Sequence, residues 1–214
     1  LIGPSRAFLR YIDQVLPALG ETGVVSATIG TLLPGVTATE AESGLVAEIK
    51  GRPIFAKVIK RAVKARQRVP EKDLSLRVDG HDLVIRRKDI RDAMFKARRA
   101  NKPHNIARKT FVREMLNTLA AQYVADMAYS IDPADRGEII EELRTTREIR
   151  VALNIAWFPI TPERLVADLF IKPHRLAQAA PELTAAERRA LARPAGSGWT
   201  AADIALLDEA AELP

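Results

Sequence analysis

In GWTAADIALLDEAAEL (residues 198–213) four apolar residues run straight into two adjacent carboxylates, Asp208 and Glu209. Read as a short buried strand, Ile204-Ala205-Leu206-Leu207 would present both carboxylates at its end. Read as a helix start, the same residues would be one more amphipathic segment. The strand reading fits the other end of the chain, where VVSATI (residues 24–29) is short and rich in β-branched residues, the composition of a buried strand. Two such strands with long charged helices between them predict an interrupted α/β domain.

Outward from these ends, Ile2-Gly3-Pro4-Ser5 reads as the tail of a strand, a tight turn and a helix start. Phe8, Leu9, Ile12, Val15, Leu16 and Leu19 recur at helical spacing, predicting a helix over 5–19 that Gly20 and Gly23 end. Thr31, Leu32 and Leu33 predict a second short helix, broken by Pro34-Gly35. Residues 40–68 keep a helical apolar pattern, with Pro53 as a new start or a kink. LSLRVDGHDLVIRR (residues 74–87) breaks it: Leu74, Leu76 and Val78 alternate before Asp79-Gly80, and Leu83 and Ile85 after it, which predicts a hairpin. Helices are then expected at about 88–100, 104–130, 135–153, 161–171 and 184–192. Thr161-Pro162 supplies a cap followed by proline at the first turn, and Thr184 with Glu187 fits a capping box. Ala195-Gly196-Ser197-Gly198 forms a joint before Trp199.

The 214 residues, 47% of them hydrophobic, suffice for one sizeable core or two modest ones. Lys and Arg number 33 against 27 Asp and Glu, giving a net charge of +6 and a pI near 9.8. That balance favours nucleic acid or another polyanionic surface as partner. Cysteine is absent, which excludes disulfides and thiolate metal sites and is compatible with a reducing cytoplasm. No apolar stretch approaches the roughly 20 residues that span a bilayer, so no membrane association is expected. A soluble, cytoplasmic and monomeric chain is the expectation. Leu1 opens in mid-strand chemistry, which reads as a piece of something longer.

Asp208-Glu209 behind an apolar run resembles a Walker B element, in which the aspartate holds Mg²⁺ through water and the glutamate polarises the water attacking a γ-phosphate. The wider context carries the same resemblance. GPSRAFLRYIDQVLPALGE, TIGTLLPG, PHNIARKTF and FPITPERLVADLF, followed by GWTAADIALLDEAAEL, together resemble the HelD-type ATPases. These are relatives of the UvrD-like superfamily one helicases that act on RNA polymerase. The resemblance spans essentially the whole chain, in the family's order.

It implies a partial RecA-like domain of the P-loop NTPase class, residues 1–36 and 199–214, interrupted by a mostly α-helical insertion with one β-hairpin over 37–198. It implies that Gly3-Pro4 closes the strand of helicase motif Ia, that Thr28 and Thr31 belong to the neighbouring Thr-rich motif, and that Asp208 (metal) and Glu209 (catalytic) are Walker B. It further implies an ATP- and Mg²⁺-dependent parent that binds core RNA polymerase and releases it from nucleic acid, the insertion serving as the element that holds the polymerase clamp open. No G-x-x-x-x-G-K-[ST] phosphate loop occurs in these residues, so this chain by itself is expected neither to hold ATP nor to hydrolyse it. Two other readings stand beside this one. One is a UvrD-like helicase translocating on DNA, and the other a basic helical module that binds nucleic acid without enzymatic activity.

The candidate partner-binding cations lie in two runs. Lys57, Lys60, Arg61 and Lys64 belong to the first, and Arg98, Arg99, Arg108 and Lys109 to the second. Such density on helices binds phosphates with a salt-dependent affinity, and a solvated helix face is the plainer reading. Aromatic residues make up 5% of the chain and do not interleave these runs as a base-stacking platform requires. His81, His104 and His174 lack ligand spacing, and His104 is expected to make a helix-start hydrogen bond. Trp157, Phe158 and Trp199 are expected to be core anchors.

Overall fold

A computed structural model describes residues 1–3, 5–19, 24–127 and 135–213. Most of these residues are helical, and they form two sheets of two strands each. They divide into a discontinuous unit, Leu1–Ala62 with Thr161–Glu212, and a continuous one, Val63–Ile160, to which Leu213 also belongs.

In the discontinuous unit, β1 (Ile2–Gly3) pairs in parallel with β2 (Ala27–Thr28). Ser5 caps α1 (Arg6–Val15) by accepting from the Phe8 N–H, and a 3₁₀ turn, Leu16–Leu19, extends it. A Cβ at Gly3 would lie 2.5 Å from Leu9 Cδ2 on that helix, so any larger residue there forces the Leu9 side chain to shift. The expected strand over 24–29 thus shrinks to two residues, and a 3₁₀ turn, Ile29–Thr31, replaces the second helix. Gly20 and Gly23, the expected stop of α1, lie outside the described residues, as do Pro4 and residues 128–130. Then follow α2 (Gly44–Gly51), capped by Ser43, and α3 (Ile54–Lys64), which restarts after Pro53.

After Ile160 the chain returns to this unit with α8 (Pro162–Ile171), α9 (Pro173–Ala179), α10 (Ala185–Leu191) and α11 (Ala201–Glu212). Thr161 caps α8 and the Thr184–Glu187 capping box starts α10, both as their sequences predict. A buried ionic knot ties the two parts of the unit together. Lys50 Nζ lies 2.5 Å from Glu42 Oε2 and 2.9 Å from Asp203 Oδ1, and Arg193 Nη1 lies 2.6 Å from Asp203 Oδ2. Thr200 Oγ1 donates to Glu42, and both cations rest over the Phe170 ring at 5.1 and 5.3 Å. With α11 packed on α2 and α8, and α10 on α2 and α9, residues 37–62 and 161–198 group with the discontinuous unit.

The expected strand over Ile204–Asp208 is a helix. Thr200 and Asp203 exchange bonds, the Thr200 N–H reaching Asp203 Oδ2 at 3.0 Å and the Asp203 N–H reaching Thr200 Oγ1 at 3.4 Å. That is the reciprocal capping arrangement. Ala and Leu dominate α11 and Ile204 is its single β-branched residue, a composition that favours helix over strand. Asp203, Ile204, Leu207 and Ala210 recur at helical spacing and are buried together.

The continuous unit begins its regular structure with the hairpin of β3 (Leu74–Val78) and β4 (His81–Ile85), in register Val78 opposite His81. Asp79 and Gly80 have φ of 48° and 88°, the positive pair that a two-residue hairpin turn of matching twist needs. Helices α4 (Arg87–Arg99), α5 (His104–Asp126), α6 (Asp135–Thr145) and α7 (Arg147–Ala156) complete it, α6 and α7 splitting at Thr146 where one helix is expected. Leu83, Ile85, Ile90, Phe111, Met115, Leu119, Leu143, Ile149 and Trp157 share one core. Gln122 docks the hairpin on α5 by accepting from the Val84 N–H (2.8 Å) and donating to the Val84 carbonyl (2.9 Å).

Candidate functional site

Asp208 and Glu209 stand on the C-terminal half of α11, Asp208 exposed and Glu209 half-buried. Both residues are helical, so the strand end on which the Walker B reading places them is not formed here. Among the described residues no three His, Asp or Glu side chains group to hold a metal ion. Thr28 and Thr31 are neighbours, as expected, but their hydroxyls serve each other. The Thr28 N–H donates to Thr31 Oγ1 at 3.2 Å, and the two hydroxyl oxygens lie 3.1 Å apart.

The cations sort by unit. Residues 63–160 hold 20 Lys and Arg against 14 Asp and Glu, while the rest of the chain holds 13 against 13, so the whole net charge of +6 belongs to the continuous unit. Lys57, Lys60 and Lys64 share an exposed face of α3 and form no ion pair among the described residues. Arg61 differs. It binds Glu182 through both Nη atoms (2.8 and 2.7 Å) and the Ala179 carbonyl (3.1 Å), and this guanidinium holds the Glu182 carboxyl down at about 2. Arg61 is thus committed inside the discontinuous unit. Arg98 donates through Nε and Nη2 to Gln67 Oε1, whereas Arg99 is exposed.

The start of α5 is a clasp on the segment after α7. Asn105 donates to the Ile160 carbonyl at 2.9 Å and accepts from its N–H at 3.1 Å. Arg108 donates through Nε to the Trp157 carbonyl (2.9 Å) and through Nη2 to Asn154 Oδ1 (2.6 Å). His104 closes the set. Gln67 spends Oε1 on Arg98, so its Nε2 donates to His104 Nδ1 (3.3 Å); the imidazole Nε2–H then donates to the Phe158 carbonyl at 2.9 Å, and Trp157 Nε1, 3.1 Å from the same Nε2, is a close neighbour and not a donor to it. Burial, aided by the Arg108 charge and opposed by the Phe158 bond, holds His104 below the usual histidine pKa. Trp157, fully buried, packs on both His104 and Phe111, with ring centroids 5.4 Å apart in each pair. As expected, it is a core anchor, while Phe158 is exposed.

Between α5, the end of α6 and α7 lies a pocket of about 540 Å³. Arg108, Lys109, Arg113, Arg144 and Arg150 supply its charge, and Val112, Leu116, Ile149 and Leu153 its apolar wall. Among the described residues the exposed Arg113 and Arg144 pair only with their helix neighbours Glu114 (3.6 Å) and Glu141 (3.5 Å), contacts of little worth in water. Burial lowers the Arg108 pKa, and no ion pair to a carboxylate offsets it among the described residues. The second basic run thus contributes two of its expected residues, Arg108 and Lys109, to one site. Arg144 and Arg150 lie outside the two basic runs, in a stretch where Glu138, Glu141, Glu142 and Glu148 are interspersed with them and mask any local excess of positive charge.

No protein-family model and no curated protein matches the chain. Among the described residues no helix is long and apolar enough to cross a membrane.

Proposed function

We propose that this chain is part of a HelD-type motor protein, in which the continuous helical unit is an arm that engages RNA polymerase. The observation that supports the reading is the organisation of the chain: a continuous, separately cored unit carrying all the net charge is inserted in a discontinuous one. In this reading the parallel pair β1–β2 is a piece of a RecA-like sheet, and ATP hydrolysis falls to residues other than these. A rigid arm favours an open polymerase only through contacts available in that state and absent from the closed one.

The charge asymmetry favours a second reading, a DNA-engaging subdomain of a UvrD-like helicase. Titration of the 214-residue chain against core RNA polymerase and against single- and double-stranded DNA, at about 50 and 200 mM salt, separates the two. Polymerase binding that survives the higher salt, with weak DNA binding erased by it, is the expected result. Tight DNA binding without polymerase association would transfer the assignment to the helicase reading.

A further inference from the structure

The pocket between α5, α6 and α7 has polar lining of one kind. Its arginines and its lysine only donate hydrogen bonds. Asn154 also lines it, and because Arg108 occupies Asn154 Oδ1, the amide's NH₂ is the group left to offer. A ligand must therefore bring acceptors, several of them, and negative charge to match five cations with no acid among the lining residues. A lone carboxylate would leave most of these cations unmatched, and planar guanidinium groups suit phosphate oxygens in bidentate fashion. The Val112, Leu116, Ile149 and Leu153 wall would be wasted on a bare inorganic anion. At about 540 Å³ the pocket lies in the range of small-molecule sites.

We propose that this pocket binds a small organic polyphosphate, of nucleoside triphosphate size, whose phosphates meet Arg113, Arg144 and Arg150 around the anchored Arg108 and whose body lies on the aliphatic wall. Arg108 is prepared for this role. Its bonds to the Trp157 carbonyl and Asn154 fix the guanidinium before a ligand arrives, so little side-chain entropy remains to be lost on binding. The site lies within one unit and does not depend on the polymerase reading.

Calorimetric titration of the full chain with adenosine triphosphate, guanosine triphosphate and inorganic tripolyphosphate, without divalent metal, tests the assignment. One saturable site is expected, with at least one nucleotide bound about tenfold or more tighter than tripolyphosphate, since the organic body uses the apolar wall. Arg113→Glu with Arg150→Glu, both exposed positions, should weaken nucleotide binding about tenfold or more, whereas Lys57→Glu with Lys60→Glu on α3 should leave it within about threefold. If the glutamate pair disturbs the circular dichroism spectrum, Arg113→Gln with Arg150→Gln replaces it. Absence of saturable binding, tripolyphosphate matching both nucleotides, or equal losses in the two variants would each overturn the proposal. So would a short single-stranded oligonucleotide bound more tightly through the same two arginines, which would make the pocket part of a nucleic-acid track.

Discussion

His104 is a histidine that the fold keeps neutral. Its Nδ1 accepts from Gln67, its Nε2–H donates to the Phe158 carbonyl, and Arg108 stands close enough to oppose a second positive charge. Protonation would turn Nδ1 into a donor facing a donor. The folded pKa therefore lies below the ordinary 6.5, and the unfolded state binds more protons in the interval between them. The contribution to stability is fully present above pH 6.5 and declines as pH falls through that interval. Urea midpoints measured at several values on either side of 6.5 should fall on acidification, and His104→Gln should flatten that fall. Parallel profiles for the two proteins would mean that other groups carry the dependence.

Helix α11 shows how a single element is specified at two ranges. Its start is local: Thr200 and Asp203 cap each other, and the T-x-x-D spacing stands in the sequence immediately before the apolar run that invites a strand. The Asp79-Gly80 turn, Thr161-Pro162 and the Thr184–Glu187 box were legible for the same reason, since each is decided within four residues. Nothing local announces that Asp203 also meets Lys50, or that Asn105 and Arg108 grip residues about 50 positions away. Those partners are set by packing, so the clasp and half of the pocket could not be read in advance.

Asp203 then carries a cost if changed. Burial alone would raise its pKa, but Lys50, the Thr200 N–H and Arg193 outweigh burial and hold it below the ordinary 3.8. Its contribution is present above pH 3.8 and is lost as pH falls through the lower, folded value. Asp203→Asn at neutral pH strands Lys50 and Arg193 around a neutral amide, and removing one partner of a buried pair costs about 3–5 kcal/mol. Chemical denaturation should show a loss of that order. A change below about 1 kcal/mol would mean that Glu42 alone suffices for Lys50.

At the scale of the whole molecule, charge is segregated while apolar cores are shared out. The continuous unit holds the entire +6, and the discontinuous unit is balanced by pairs such as Arg61–Glu182 and Arg52–Glu187. A polyanion should therefore be held by the continuous unit, each phosphate contact adding about 0.7–0.9 to the slope of log affinity against log salt. Lys88, Arg91 and Arg99 are exposed on α4 and free of ion pairs among the described residues, so reversing them tests the idea without disturbing the core. Lys88→Glu with Arg91→Glu and Arg99→Glu should lower that slope for DNA by about one unit or more, if this face meets the backbone. Arg10→Glu with Arg189→Glu, exposed cations of the discontinuous unit, should leave it unchanged. Equal losses in both variants would show that DNA responds to net charge alone, and that the segregation between units plays no part in where a polyanion binds.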